Sequence, residues 1–224
     1  MQEIKVEEKT YRFPVNHDVL DLIPVNAKTV LDVGCGAGGH SSFLREKGLI
    51  VDGITLSPQE AQTATQFCRK VYIYDIEKGL SEEIQSNQYD VILCSHVLEH
   101  IAYPAHFLND AKKLMNTDSR MIIAVPNIMH YHYRKQLLFG NFTYESAGTM
   151  DNTHLRFYTF QSMKKLISDA GYEVETATAG GLLPLHSVVK RFPGGAIKFL
   201  KKIFYGISKG FFGDQLIYVA KRAV

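Results

Sequence analysis

Between Lys28 and Val125 the chain alternates short apolar runs with stretches of helical periodicity. The runs TVLDVG (Thr29 to Gly34), LIVDGIT (Leu49 to Thr55), VYIYD (Val71 to Asp75), YDVILC (Tyr89 to Cys94) and RMIIAV (Arg120 to Val125) are nearly continuous in hydrophobicity. That pattern predicts strands covered on both faces. Helices are predicted between them, over His40 to Lys47, Ser57 to Arg69 and Ala105 to Asn116. The second opens on Ser57 as N-cap with Pro58 in its first turn. Strand, helix, strand repetition with short connections implies a parallel sheet with right-handed crossovers. After Pro126 the rhythm breaks. Residues 127–156 are rich in His, Tyr, Asn and Gly and carry no sustained period. A helix is predicted from Thr159 to Ala170, closed by Gly171, then the strand-like YEVETATA and a last strand, LIYVAKR, over Leu216 to Arg222.

Composition narrows the picture. At 224 residues, 46% hydrophobic and 21% charged, the chain has ordinary globular usage, which excludes wholesale disorder. No apolar run approaches the roughly 20 residues that span a bilayer. The charged opening MQEIKVEEKTYRF predicts no secretory leader, and the widely spaced Cys35, Cys68 and Cys94 read as reduced, buried thiols, so a cytoplasmic location is expected. The net charge of +2 hides an asymmetry: from Leu185 onward there are eight basic residues and one acid, leaving −5 over the first 184 positions. An acidic body without a basic stripe makes nucleic acid an unlikely partner. Within the basic tail, residues 195–209 place Ala196, Ile197, Phe199, Leu200, Ile203, Phe204 and Ile207 in one arc at helical spacing, with Lys198, Lys201, Lys202 and Lys209 opposite. Such a helix packs on its own domain or lids a pocket, touches a membrane surface to reach a lipid-linked acceptor, or joins a dimer.

The segment carrying chemistry is VLDVGCGAGG, Val30 to Gly39. An apolar strand ends in Asp32 and runs through four glycines into a helix, whose N-terminus offers free N–H donors. Gly34, Gly36 and Gly39 also satisfy the spacing of a nicotinamide dinucleotide site. Asp32, however, would oppose a pyrophosphate, and the acid expected about 20 residues on falls near Thr55. A nucleotide that is cationic at its reactive end suits Asp32 better.

These residues resemble the first motif of class I S-adenosylmethionine-dependent methyltransferases, and the resemblance extends over most of the chain. It implies an α/β, Rossmann-like, doubly wound sheet of seven strands, mostly parallel with an antiparallel last strand. It further implies one domain over 1–224, with an N-terminal arm (1–27), an acceptor-side insertion (127–158) and an amphipathic basic insertion (180–212). S-adenosylmethionine would be the cofactor, S-adenosylhomocysteine the product, and no metal would be required. By the same resemblance Asp32 lies near the methionine moiety, and Gly34, Cys35 and Gly36 form the turn beneath it. Thr55 stands where an acid normally holds the ribose, with Leu56 beside it and Gln59 as the nearest polar candidate. Asp75 matches the acceptor for the adenine amino group, Ile76 flanks the ring, and Ser95 and His96 of SHVLEH line the cofactor. Tyr11 in the arm closes over it.

The stretch from Val125 to Thr159 resembles a bacterial subgroup with the pattern PN, His, GxFxY, Gly, DxTHxRFxT, whose members look like small-molecule or glycan-modifying methyltransferases. The implied acceptor is a saccharide or natural-product-like hydroxyl or amine. The competing readings are an NAD-dependent oxidoreductase and a catalytically silent S-adenosylmethionine-binding module. His130 and His154, with Asp151, are the candidate catalytic groups, because a neutral imidazole can take a proton from the acceptor. The alternative is that they cross-link an irregular loop. His96 and His100 are spaced i, i+4 around Glu99, but the HExxH order is absent, so no metal site is expected. Oligomeric state leaves no mark on the sequence.

Overall fold

Residues 15–181, 192 and 194–223 are described by a computed structural model. The apolar runs become β1 (Thr29–Val33), β2 (Ile50–Thr55), β3 (Lys70–Ile73), β4 (Tyr89–Ser95), β5 (Met115–Pro126), β6 (Tyr172–Gly180) and β7 (Gln215–Arg222). They join in one sheet of order β3-β2-β1-β4-β5-β7-β6. β1, β2, β3, β4 and β5 pair in parallel, while β7 runs antiparallel to both of its neighbours, β5 and β6. This is the expected Rossmann-like arrangement.

The two faces of the sheet explain the continuous hydrophobicity. Leu31 and Val33 of β1, Ile92 and Cys94 of β4 and Ile123 of β5 enter one cluster with Phe107, Leu108, Met163 and Ile167. These belong to α5 (Pro104–Ala111) and α7 (Phe160–Asp169). Val30, Val51, Leu93 and Ile122 point the other way, onto Val19, Leu44 and Ala64 of α1 (His17–Leu20), α2 (Gly39–Glu46) and α3 (Pro58–Ala64). Each fully buried aliphatic side chain contributes about 1.5–3 kcal/mol, so both layers hold the strand ends in place.

Several helix ends differ from the periodicity. α3 stops at Ala64 instead of Arg69, because the chain must turn for Arg69 N–H to reach the Val51 carbonyl and start β3. The helix predicted to reach Asn116 ends at Ala111, tightens into a 3-10 turn over Lys112–Leu114, and yields to β5 at Met115. β3 ends at Ile73, two residues short of Asp75. α4 (Glu82–Gln85) is a single turn, and the aperiodic insertion contains a further helix, α6 (Tyr131–Leu138).

The basic segment is helical, α8 (Gly194–Phe212), with non-helical angles at Ser208. Its orientation corrects the expected split into one apolar and one lysine face. Ile197, Leu200, Phe204 and Tyr205 pack toward Ala179 of β6, whereas Phe199, Ile203 and Ile207 of the same arc stay in water. Lys201 turns inward to the Asp18 carboxylate and Lys209 to the Ala177 carbonyl. Among the described residues no helix is long and apolar enough to cross a membrane.

Candidate active site

The C-terminal ends of β1, β2, β4 and β5 and the start of the antiparallel β7 all lie at one edge of the sheet, the usual place for ligands in this architecture. At β1 the chain leaves Asp32 and passes through Gly34, Gly36 and Gly38, all at positive φ. Gly34 is held there by sterics: a Cβ would stand 2.5 Å from Val97 Cγ2. The Cys35 amide donates to Ile54 O (2.9 Å), tying the loop to the end of β2. The Cys35 thiol is pushed up by its hydrogen bond with Cys68 and by burial, so it is an inert filler.

Asp32 is 1% exposed and accepts a 2.7 Å hydrogen bond from Ser41 Oγ in the first turn of α2. Burial raises its pKa, only partly countered by His40 and Ser41. An acid kept at the mouth of a glycine loop at that cost suits a cationic ligand.

The end of β2 holds what the sequence analysis missed. Gln59 points into solvent, and Leu56 is exposed beside it. Glu60 is the buried one: its Oε2 accepts from Thr55 Oγ1 at 3.1 Å, and both carboxylate oxygens lie 3.8 Å from where a Gly36 Cβ would be. Thr55 Oγ1 also accepts the Ser57 amide, at 3.3 Å. Thr55 thus takes the N-cap amide that a Ser-x-x-Glu sequence would ordinarily send to the glutamate, and Glu60 is directed at the glycine loop. Asp75 caps a 3-10 turn over Ile76–Lys78 by accepting the Glu77 amide at 3.0 Å, with Lys78 Nζ 3.5 Å away. Asp75 and Ile76 are both half-buried. Tyr11 lies outside the described residues.

Beyond β4 a cavity of about 580 Å³ opens, lined among others by His40, Ser95, His96, Glu99, Asp151 and His154, with Lys201 of α8 in its wall. Ser95 Oγ is buried there without a hydrogen-bond partner. His96 stands at φ +58, the one non-glycine residue at positive φ among those described. It is held by Glu99 Oε1 (3.3 Å from Nδ1) and Gln215 Oε1 (3.2 Å from Nε2). Burial alone would lower the His96 pKa, but Glu99, Gln215 and Asp214 together raise it. Burial likewise works to raise Glu99, and the hydrogen bond and charge of His96, with the charge of His100, bring it below the usual carboxylate range.

His154 reaches the cavity from the insertion. Its Nδ1 lies 3.0 Å from the Thr149 carbonyl. A carbonyl only accepts, so in neutral His154 the proton sits on Nδ1 and Nε2 keeps its lone pair. Asp151 is buried and shapes the turn beneath by accepting from the Thr153 amide and hydroxyl (2.9 and 2.7 Å). The His100 ring stands edge-on to His154 at 4.7 Å. Among the described residues Glu99, His100 and His154 are the group able to hold a metal ion, their ligating atoms lying within 4.8 Å of one another. The i, i+4 histidines of the sequence do not form that set, because His96 turns to Gln215. His130 is not among the residues that line the cavity: it stands at the N-cap position of α6, its Nε2 buried and unpartnered, its pKa pushed down to about 4 by burial and His132. The structure therefore brings His154 and Asp151 to the cavity and sets His130 apart.

The model of a methyltransferase domain matches residues 9–177. The ubiquinone biosynthesis O-methyltransferase of Thiobacillus denitrificans is 23% identical over 176 residues, covering 75% of this chain and 74% of that protein. The protein of the same name from Azorhizobium caulinodans is 30% identical over 114 residues, 50% of this chain and 45% of its own. Among solved structures, a SAM-dependent methyltransferase from Archaeoglobus fulgidus superposes with a TM-score of 0.61 at 16% identity, covering 91% of this chain and 90% of that one. One from Mesorhizobium loti gives 0.60 at 13%, covering 92% and 96%. At these identities the superpositions speak for the fold.

Proposed function

This chain belongs to the methyltransferase domain family and is an S-adenosylmethionine-dependent methyltransferase, and from that premise we propose that it methylates a hydroxyl of a small molecule held in the cavity beside His154. Bound S-adenosylmethionine supplies an electrophilic methyl group carried on a sulfonium. The residues at the sheet edge fit it. The glycine loop leaves backbone room, Asp32 offers a buried carboxylate to a cation, and Ser95 Oγ is a buried polar atom without a protein partner. In this reading Glu60, positioned by Thr55, takes the ribose hydroxyls in place of Gln59, and Asp75 with Ile76 receives the adenine.

One observation carries the choice of a hydroxyl: the orientation of His154, whose Nε2 lone pair is fixed by the Nδ1 contact with Thr149. A hydroxyl must lose its proton as it attacks, and a neutral imidazole aimed into the cavity can accept it at Nε2. Asp151 is a positioning residue that holds the turn carrying His154. The relatives named for O-methylation support the same acceptor atom. A saccharide or a phenol-like ring both suit the aromatic insertion, where Phe142, Tyr144 and Phe157 pack edge to face. The cavity walls exclude water and align the acceptor, which supplies much of the acceleration.

A panel of hydroxyl and amine acceptors, read by S-adenosylhomocysteine release, tests this reading. Turnover confined to hydroxyl acceptors is expected; turnover of amines alone would refute it. A second outcome concerns the ribose contact. Glu60→Gln should weaken S-adenosylhomocysteine binding about tenfold, the worth of a hydrogen bond to a charged group, while Gln59→Ala should change it less than twofold. Titration calorimetry on both variants decides between the two side chains.

A further inference from the structure

Helix α8 carries two apolar faces, and the sheet covers one of them. On the outer face Phe199, Ile203 and Ile207 are 64%, 43% and 71% exposed, and their spacing sets them in one stripe along the helix. Lys198 and Lys202 are exposed as well and flank the stripe on one side, α8 contains no acid, and the other two lysines are turned inward. At the C-terminal end Phe211 meets Tyr131 (6.1 Å between ring centroids) and lies under Arg134 (5.3 Å), which links α8 to α6. The far end of α6 adds the exposed Leu138 and Phe139.

We propose that this outer face of α8 docks on an anionic lipid bilayer. The charge arrangement selects a bilayer. Lysines beside an apolar stripe lay their methylene stems along it and set their ammonium groups at the level of lipid phosphates. The same helix, through the inward-turned Lys201, also contributes to the cavity wall. Docking is peripheral, since α8 is not long and apolar enough to cross. It requires nothing of the acceptor's identity.

The test is co-sedimentation of the full chain with phosphatidylcholine vesicles, with and without phosphatidylglycerol. Binding is expected to the anionic vesicles alone and to fall with added salt. Lys198→Gln combined with Lys202→Gln should reduce partitioning roughly ten- to thirtyfold. Phe199→Ser combined with Ile203→Ser should abolish it although both lysines remain. Unchanged S-adenosylhomocysteine affinity in each variant separates loss of docking from loss of the cofactor site. Three outcomes overturn the proposal: no sedimentation with anionic vesicles, equal sedimentation of both variants and the parent, or a dimer that the apolar pair breaks without any vesicle binding.

Discussion

Replacing Asp32 by asparagine is expected to lower affinity for S-adenosylmethionine by about two orders of magnitude while leaving the unliganded protein at least as stable at neutral pH. The two halves have one cause. Asp32 is buried, and folding raises its pKa. The folded chain therefore holds the Asp32 proton more tightly than the unfolded chain, so ionising the group costs stability at neutral pH. That cost fades as the pH falls below the ordinary carboxylate range. Asparagine keeps a partner for Ser41 Oγ and removes the cost. It also removes the anion facing a cationic ligand, and an interaction of that kind is worth about 1.5–3 kcal/mol, or 10- to 150-fold. Thermal melts at neutral and acid pH, paired with calorimetric titration, read both halves. Should Asp32→Asn melt lower and bind as before, the residue would be a structural group and the site assignment would fail.

The second large effect falls on turnover. His154→Ala should lower kcat by about 10²–10⁴, the range of a positioned general base, with cofactor affinity unchanged, because in this assignment His154 meets the acceptor and not the cofactor. His130→Ala is the control: with a pKa near 4 it is neutral at pH 7 and a weak base, and it does not line the cavity. Its loss should change kcat less than a few-fold. A full loss of rate in His130→Ala with none in His154→Ala would reverse the assignment.

How much of this was legible beforehand varies with how local each cause is. The sheet was legible because strands buried on both faces must be apolar at every position, as Val91 to Cys94 are. The glycine loop was legible because positive φ at Gly34 and Gly36 restricts the residue type. Helix ends were not: Met115 leaves its helix because Tyr89 of β4 pairs with it, a contact 26 positions away. Glu60 was hidden because Ser57-Pro58-Gln59-Glu60 reads as a capping box, and only the Thr55 hydroxyl, two residues before the cap, redirects it. The meeting of His154 with Glu99 and His100 depends on the path of an insertion without periodicity. For α8 the spacing defines an apolar arc, but which half of it meets the domain depends on partners far away in sequence, Ala179 and Asp18.

The register of β6 and β7 places Gly180 directly opposite Gln215, so everything between them, α8 included, leaves and rejoins the sheet at a single rung of the ladder. Closing such a loop costs only about 0.6 kcal/mol for each doubling of its length. The segment can therefore be lengthened, shortened or exchanged as a cassette with little strain on the ladder that anchors it. The glycine loop, Glu60 and Asp75 lie across the sheet, just beyond the C-terminal ends of β1, β2 and β3, and would not feel the exchange. What the enzyme reaches and what powers it are thus built on separately editable parts of one chain.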